Sequence, residues 1–101
     1  MDTRVLFYQH NITGSYKVML EGDHFVEGYG KSLKEAVLAL SVDCVRESLE
    51  LLEMSTTKYL DMDMCLQMSN SYADKARELV KLANSIALAH VAAINHTICM
   101  N

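Results

Sequence analysis

Glycine and proline divide this chain into two parts with different folding options. All four glycines lie at or before Gly30, and the 101 residues contain no proline. These two residue types are the strongest local breakers of regular structure, so turns are favoured in the first part and long helices in the second. We therefore predict an α+β fold in a single domain, residues 1–101, with a β-sheet part over 1–31 and a helical part over 32–101.

Alternating apolar and polar side chains predict strands in the first part. Residues 16–21 alternate, which places Leu20 on an apolar face together with other large side chains. The Gly-Asp pair at 22–23 suits a two-residue hairpin turn with glycine first. That turn sets Leu20 opposite Phe25 and directs Val26 to the other face. The prediction is an antiparallel sheet of two or three strands, packed against a helix through Tyr16, Val18, Leu20 and Phe25.

A capping box opens the first helix. Ser32 can accept a hydrogen bond from the Glu35 amide, and the Glu35 side chain can accept one from the Ser32 amide. The helix is predicted to run to about Met54, since Ser55-Thr-Thr57 favours a break. Its apolar side chains form two stripes, which predict two packing partners, the sheet and another helix. The first stripe, at heptad spacing, is Leu38, Val42, Val45, Leu49 and Leu52, and the second is Leu33, Ala36, Val37, Leu40, Cys44 and Leu51.

The last twenty residues, 82–101, carry no Lys, Arg, Asp or Glu. An exposed helix in a small domain normally carries charge on its outer face, so we expect this segment to be a largely buried helix. A chain of this length has little of its own with which to bury it. We predict one or two further long helices after residue 55 and a homo-oligomer held together by the last of them. The predicted interface residues are Ile86, His90, Val91, Ile94 and Ile98.

Composition and charge exclude several classes of function. The formal net charge of −4 and the absence of a basic run disfavour direct binding to nucleic acid. The N-terminus lacks the pattern of a signal peptide, and the polar residues of the uncharged tail argue against a membrane anchor, so we expect a cytoplasmic protein. The three cysteines lack metal-site spacing and are predicted to be free thiols. Without a phosphate loop, nucleophile motif or zinc pattern, we predict no enzymatic activity, cofactor or metal.

Two classes of binding function remain. We favour a non-catalytic inhibitor or antitoxin-like protein that binds and blocks a second protein. Its predicted contact surface combines the exposed sheet face with an acidic helix face, which suits a basic partner. The alternative is an oligomer that sequesters a nucleotide signal in pockets between subunits. The acidic face consists of Asp43, Glu47, Glu50 and Glu53, and the candidate nucleotide contacts are Arg4, Lys17, Tyr29, Lys75, Arg77 and Lys81.

Residues 16–36 resemble the hairpin-to-helix segment of the HicB antitoxin family. In that family a short sheet ends in glycine, and a six-residue motif opens the helix that follows. The motif consists, in order, of a polar residue, Ser or Thr, Leu, any residue, Glu and Ala. Gly30, Ser32, Glu35 and Ala36 match this pattern. The acidic-proline-glycine segment of the family and its C-terminal DNA-binding module are missing. The resemblance implies a partner-blocking role, and in size and plan the chain is also similar to phage-encoded inhibitors of bacterial defence.

Overall fold

The structure, a computed structural model, describes residues 3–56 and 61–86 in full and the backbone of 98–100. The predicted α+β arrangement, an N-terminal antiparallel sheet followed by two helices, is confirmed. The elements are β1 (Thr3–Gln9), β2 (Tyr16–Leu20), β3 (Glu27–Gly30), α1 (Leu33–Met54), α2 (Met62–Ile86) and β4 (Ile98–Met100). The sheet has the strand order β3-β2-β1-β4, which makes β3 an edge strand.

One face of the sheet is buried beneath the helices. Val18 and Leu20 of β2 are fully buried, as the alternating pattern predicted, and Tyr16 packs half-buried against the same core. Val5 and Phe7 of β1 extend this face. Their burial supplies most of the apolar surface on which the helices rest.

The predicted register of β3 is wrong by one residue. Val18 pairs with Gly28 rather than with Glu27. The reason is a longer connection, in which the Asp23 side chain accepts a hydrogen bond from the Phe25 amide at 2.9 Å. Phe25 is consequently 71% exposed, whereas Val26 is 1% exposed and belongs to the core. A one-residue shift exchanges the two faces of a strand, so the predicted burial of Phe25 is also wrong.

Helix α1 lies directly on β3 because β3 has no side chains where the two backbones meet. A Cβ atom added to Gly28 would overlap the carbonyl oxygen of Ala36 and the backbone of Leu40. One added to Gly30 would lie 2.6 Å from the Ala36 amide nitrogen. These two glycines therefore allow a helix-to-strand approach that no other residue type permits.

The ends of the helices follow the predicted caps with small differences. The Ser32 hydroxyl accepts from the Glu35 amide at 3.2 Å, but the Glu35 carboxylate accepts from the Lys31 amide at 3.0 Å instead of the Ser32 amide. Helix α1 ends at Met54, as predicted. Helix α2 is capped by Asp61, whose carboxylate accepts from the Met64 amide at 3.2 Å.

The two helices meet through small side chains. The Ser48 hydroxyl donates to the Ser69 carbonyl at 2.9 Å, and the Ser69 hydroxyl donates to the Ser48 carbonyl at 2.8 Å. These reciprocal bonds satisfy two buried hydroxyl groups and let the backbones approach closely. Helix α2 thus packs against the face of α1 that carries Ser41 and Ser48. This face lies next to the heptad stripe, which α2 does not cover.

Only one of the two apolar stripes of α1 is buried. The second stripe, from Leu33 to Leu51, packs into the core as expected. In the first stripe Val42 and Leu49 are 67% and 60% exposed. We expected each stripe to have its own packing partner within the fold. For the first stripe this is wrong among the residues that the structure describes.

The uncharged C-terminal segment does not remain helical to Ile98. Helix α2 ends at Ile86, and Ile98 begins β4, where it pairs with Val5 of β1. The open edge of β1 supplies backbone hydrogen-bond partners within the same chain, and this replaces the predicted last helix at that point. Of the predicted interface residues, Ile86 packs half-buried against the core, while His90, Val91 and Ile94 lie outside the described residues.

Substituting Gly28 tests the close approach of α1 to β3. We expect Gly28→Ala to lower the free energy of unfolding by about 3 kcal/mol or more, because the added methyl group meets backbone atoms on both sides. The control is Gly22→Ala, at a residue with a φ of 78° and nothing within 4 Å of the added carbon. It should cost only about 1–2 kcal/mol, the penalty of the left-handed conformation. Urea denaturation measures both, and equal losses would contradict the packing.

Candidate functional site

The predicted acidic face of α1 forms a ridge beside the edge strand, which we call the acidic edge (Asp43, Glu47, Glu50 and Glu53). Three of its carboxylates surround one guanidinium. Arg46 Nε lies 2.7 Å from Asp43 Oδ1, its Nη1 lies 2.8 Å from Glu50 Oε1, and its Nη2 lies 3.5 Å from Glu47 Oε2. Glu53, one turn beyond, is exposed. The sequence-predicted cluster is thus brought together around a single positive charge.

Two members of this cluster also hold α1 to β3 and to the connection that precedes it. The Glu27 amide donates to Asp43 Oδ2 at 2.9 Å, and Arg46 Nη2 donates to the Phe25 carbonyl at 3.3 Å. Edge strands expose unpaired backbone groups that can recruit other strands. Here the helix side chains occupy those groups, so the acidic edge is fixed in position against the sheet.

The carboxylates of the acidic edge differ in how strongly they hold a proton. Burial alone would raise the pKa of Asp43, but the hydrogen bonds from Arg46 and from the Glu27 amide outweigh it and lower the pKa. The pKa of Glu47 is raised, first by burial and then by the neighbouring Glu50 carboxylate. The folded structure therefore favours the charged form of Asp43 and disfavours the charged form of Glu47.

Beneath the acidic edge, two titratable groups are held in their neutral forms. Burial raises the pKa of the Cys44 thiol to about 12, and the negative charge of Asp23 adds to this effect. Burial also raises the pKa of Tyr72, whose hydroxyl donates to Asp23 Oδ2 at 2.7 Å. A thiol in this environment is not a nucleophile. Cys44 and Cys65 are free and buried, as predicted.

The outer face of the sheet, the second part of the predicted contact surface, contains an ion pair and a cation–ring contact. Lys17 Nζ lies 3.6 Å from Glu27 Oε2 and 5.8 Å from the centre of the Tyr29 ring. Lys17 and Tyr29 are direct cross-strand neighbours in the observed register. This pairing places two of the candidate nucleotide contacts together, next to a carboxylate.

The remaining candidate nucleotide contacts lie elsewhere. Arg4 and Lys75 line one cavity of about 470 Å³, and this cavity also contains the Glu21 and Asp23 carboxylates. Arg77 lines a groove between the helices instead. Four of the cations have a carboxylate partner of their own, in the pairs Arg4–Glu21, Lys17–Glu27, Arg77–Asp74 and Lys81–Glu78. The nucleotide-binding alternative stays a prediction whose residues are spread over separate surfaces.

Most of the first apolar stripe of α1 forms an exposed apolar surface on the helical layer, which we call the outer seam (Val42, Val45, Leu49 and Leu52 of α1 with Val80 of α2). Leu38, the first residue of that stripe, packs half-buried against the core. The outer seam borders a groove of about 310 Å³ between the helices. Small side chains line the groove between the two rows, among them Ser41, Ser48, Ala73 and Ala76. The heptad spacing of the first stripe predicted a packing surface, but the partner was expected within the same fold.

Within residues 3–56 and 61–86, no three His, Cys, Asp or Glu side chains are grouped so that they could hold a metal ion. Neither of the two described helices combines the length and apolar character needed to cross a membrane.

Comparison with known proteins gives no relative: no family model, curated protein or solved structure matches this chain. The resemblance of residues 16–36 to the HicB family stays a prediction.

Neutralising Asp43 and Glu47 should change stability in opposite directions. Asp43→Asn converts a charged hydrogen bond from the Glu27 amide into a neutral one, so we expect a loss on the order of 1 kcal/mol at neutral pH. Glu47→Gln removes a crowded charge and should raise stability slightly. The measurement is the free energy of unfolding as a function of pH.

The effects of the two substitutions on the free energy of unfolding should depend on pH in different ways. The pKa of Asp43 is lowered by folding, so its contribution is complete above the ordinary value of 3.8 and is lost as the pH falls through the lowered pKa. The pKa of Glu47 is raised, so the gain from Glu47→Gln should be complete above the raised pKa and disappear as the pH falls to 4.5. Effects of the same sign at neutral pH would contradict these assignments.

Proposed function

We propose that this chain is a non-catalytic binding protein of the inhibitor or antitoxin type, which blocks a second protein by covering a basic surface. The observation that carries the proposal is the acidic edge. Three of its four carboxylates surround one guanidinium, so the acidic edge with Arg46 has a formal charge of about −3 in a chain whose formal net charge is −4. Most of the excess charge is therefore concentrated on one side of one helix.

The neighbouring carboxylates of the acidic edge support a role in binding a cation. Burial is the first cause of the raised pKa of Glu47 and repulsion from Glu50 the second, and a Lys or Arg from a partner would relieve that repulsion on contact. Complementary charge of this kind acts mainly on the rate of association and on the choice of partner. A nucleic-acid-binding enzyme presents such a basic surface, and an inhibitor bound there would exclude its substrate.

The rigid mounting of the acidic edge also suits a blocking function. Asp43 binds the Glu27 amide of β3 at 2.9 Å and Arg46 binds the Phe25 carbonyl just before that strand at 3.3 Å, so the ridge does not have to be ordered when a partner binds. Preorganised surfaces lose less conformational entropy on association. Charge and rigidity together favour a protein ligand over a small molecule.

Charge reversal on the acidic edge tests this function. We expect Glu50→Lys with Glu53→Lys to lose partners that the wild-type chain retains from a lysate of the source organism, quantified by mass spectrometry. The matched control reverses Asp63 and Glu78, acidic residues of α2 on the other helix. Wild-type binding should also weaken as the salt concentration rises.

The outcome that contradicts the proposal is equal retention of the same partners by both variants. Circular dichroism and thermal unfolding of each variant establish beforehand that the fold is intact. This control matters because Glu50 also contacts Arg46.

A further inference from the structure

The outer seam is a contiguous apolar surface that the described part of the fold leaves exposed. Val42 and Leu49 are mostly exposed, and Val45, Leu52 and Val80 are exposed beside them. Single exposed apolar residues are ordinary, but a contiguous set on one side of a helical layer marks a contact surface. The groove of about 310 Å³ next to these residues gives the surface a shape into which side chains can insert.

The spacing of the seam selects a helix as its occupant. Val42, Val45, Leu49 and Leu52 follow one another at intervals of three, four and three residues. This repeat of 3.5 residues is the one that brings two helices together along their length, with side chains of one helix inserted between those of the other. Helix α2 does not use it, because it packs along the serines of α1.

We propose that the occupant is α1 of a second copy of this chain, so that two copies form a two-fold symmetric dimer through their outer seams. A symmetric dimer needs a surface that complements itself, and a heptad stripe on a regular helix has this property. The inference does not rest on the function proposed for the acidic edge, which adjoins the seam at Arg46.

The charges along the seam permit contact between two identical surfaces. On one side Arg46 is paired with Asp43 and Glu50, and on the other Arg77 is paired with Asp74. Each border therefore presents charges of both signs rather than carboxylates alone. Like charges facing each other across an interface cost several kcal/mol, and the cations at the two borders reduce that cost.

The area of the seam is sufficient for a modest dimer. Helix α1 has 22 residues and is about 33 Å long at 1.5 Å per residue. With α2 packed about 8–10 Å away, the two helices present a face of roughly 600 Å². Standard interfaces bury about 800 Å² on each partner, so the dimer should dissociate on dilution.

Sedimentation velocity on the full chain tests the proposal. The protein concentration is varied from roughly 1 to 200 µM, a range chosen because the interface is at the small end of the size range. The average mass should rise over this range from that of the 11.4 kDa chain towards twice that value. Val42→Lys with Leu49→Lys should keep the protein monomeric throughout. The matched control, Ile12→Lys with Phe25→Lys, replaces two exposed apolar residues outside the seam and should dimerise like the wild type.

A cross-linking variant tests where the two copies meet and introduces no charge into the seam. Val45 lies at the middle of the stripe, so Val45→Cys in a Cys99→Ser background should form a disulfide-linked dimer on mild oxidation. The control, Ile12→Cys in the same background, should not form one. A wild-type monomer at all concentrations would overturn the proposal. So would a dimer that survives the two lysines, or one in which the cysteines at position 45 fail to link.

Discussion

The contact between the backbone of α1 and the glycines of β3 governs the rest of this structure. Gly28 and Gly30 leave no room for a side chain beneath Ala36 and Leu40, so the helix rests on the strand itself. That approach fixes which face of β3 is inward and therefore buries Val26 and exposes Phe25. Moving the helix outward by the width of a methyl group would break the packing of the whole core.

The functional surfaces follow from how α1 is oriented by this contact. One side of the helix enters the core, the side beside β3 carries the acidic edge, and the side away from the sheet carries the outer seam. Asp43 can reach the Glu27 amide because the strand and helix lie so close. The reciprocal bonds between Ser48 and Ser69 then place α2 where it leaves the seam uncovered.

Much of the fold could be predicted from the sequence, since glycine distribution, alternation and the Ser32 cap are strong local signals. The errors arose where small or polar side chains decide the outcome. The register of β3 depends on Asp23 capping the Phe25 amide, and alternation alone does not reveal the length of that turn. The burial of the second stripe of α1 instead of the first depends on glycines and serines, which carry little weight in a hydrophobic pattern.

The candidate site was predictable in part for the same reason. Four carboxylates at helical spacing identify an acidic face, but not that Arg46 would occupy its centre or that Asp43 would serve the strand edge. Ile98 illustrates a further limit, because a short apolar run is equally compatible with a helix and with a strand. Its pairing with Val5 depends on the free edge of β1, a feature of the assembled sheet.

The most direct test of this account is the set of nuclear Overhauser effects between β3 and α1 in the full chain. The account predicts strong effects between the α-protons of Gly28 and the amide proton of Leu40, and contacts of the Val26 methyl groups with core residues. Effects that join the rings of Phe25 or Tyr29 to α1, with none from Gly28, would contradict it. They would show the strand in the other register, with neither the acidic edge nor the outer seam positioned as described.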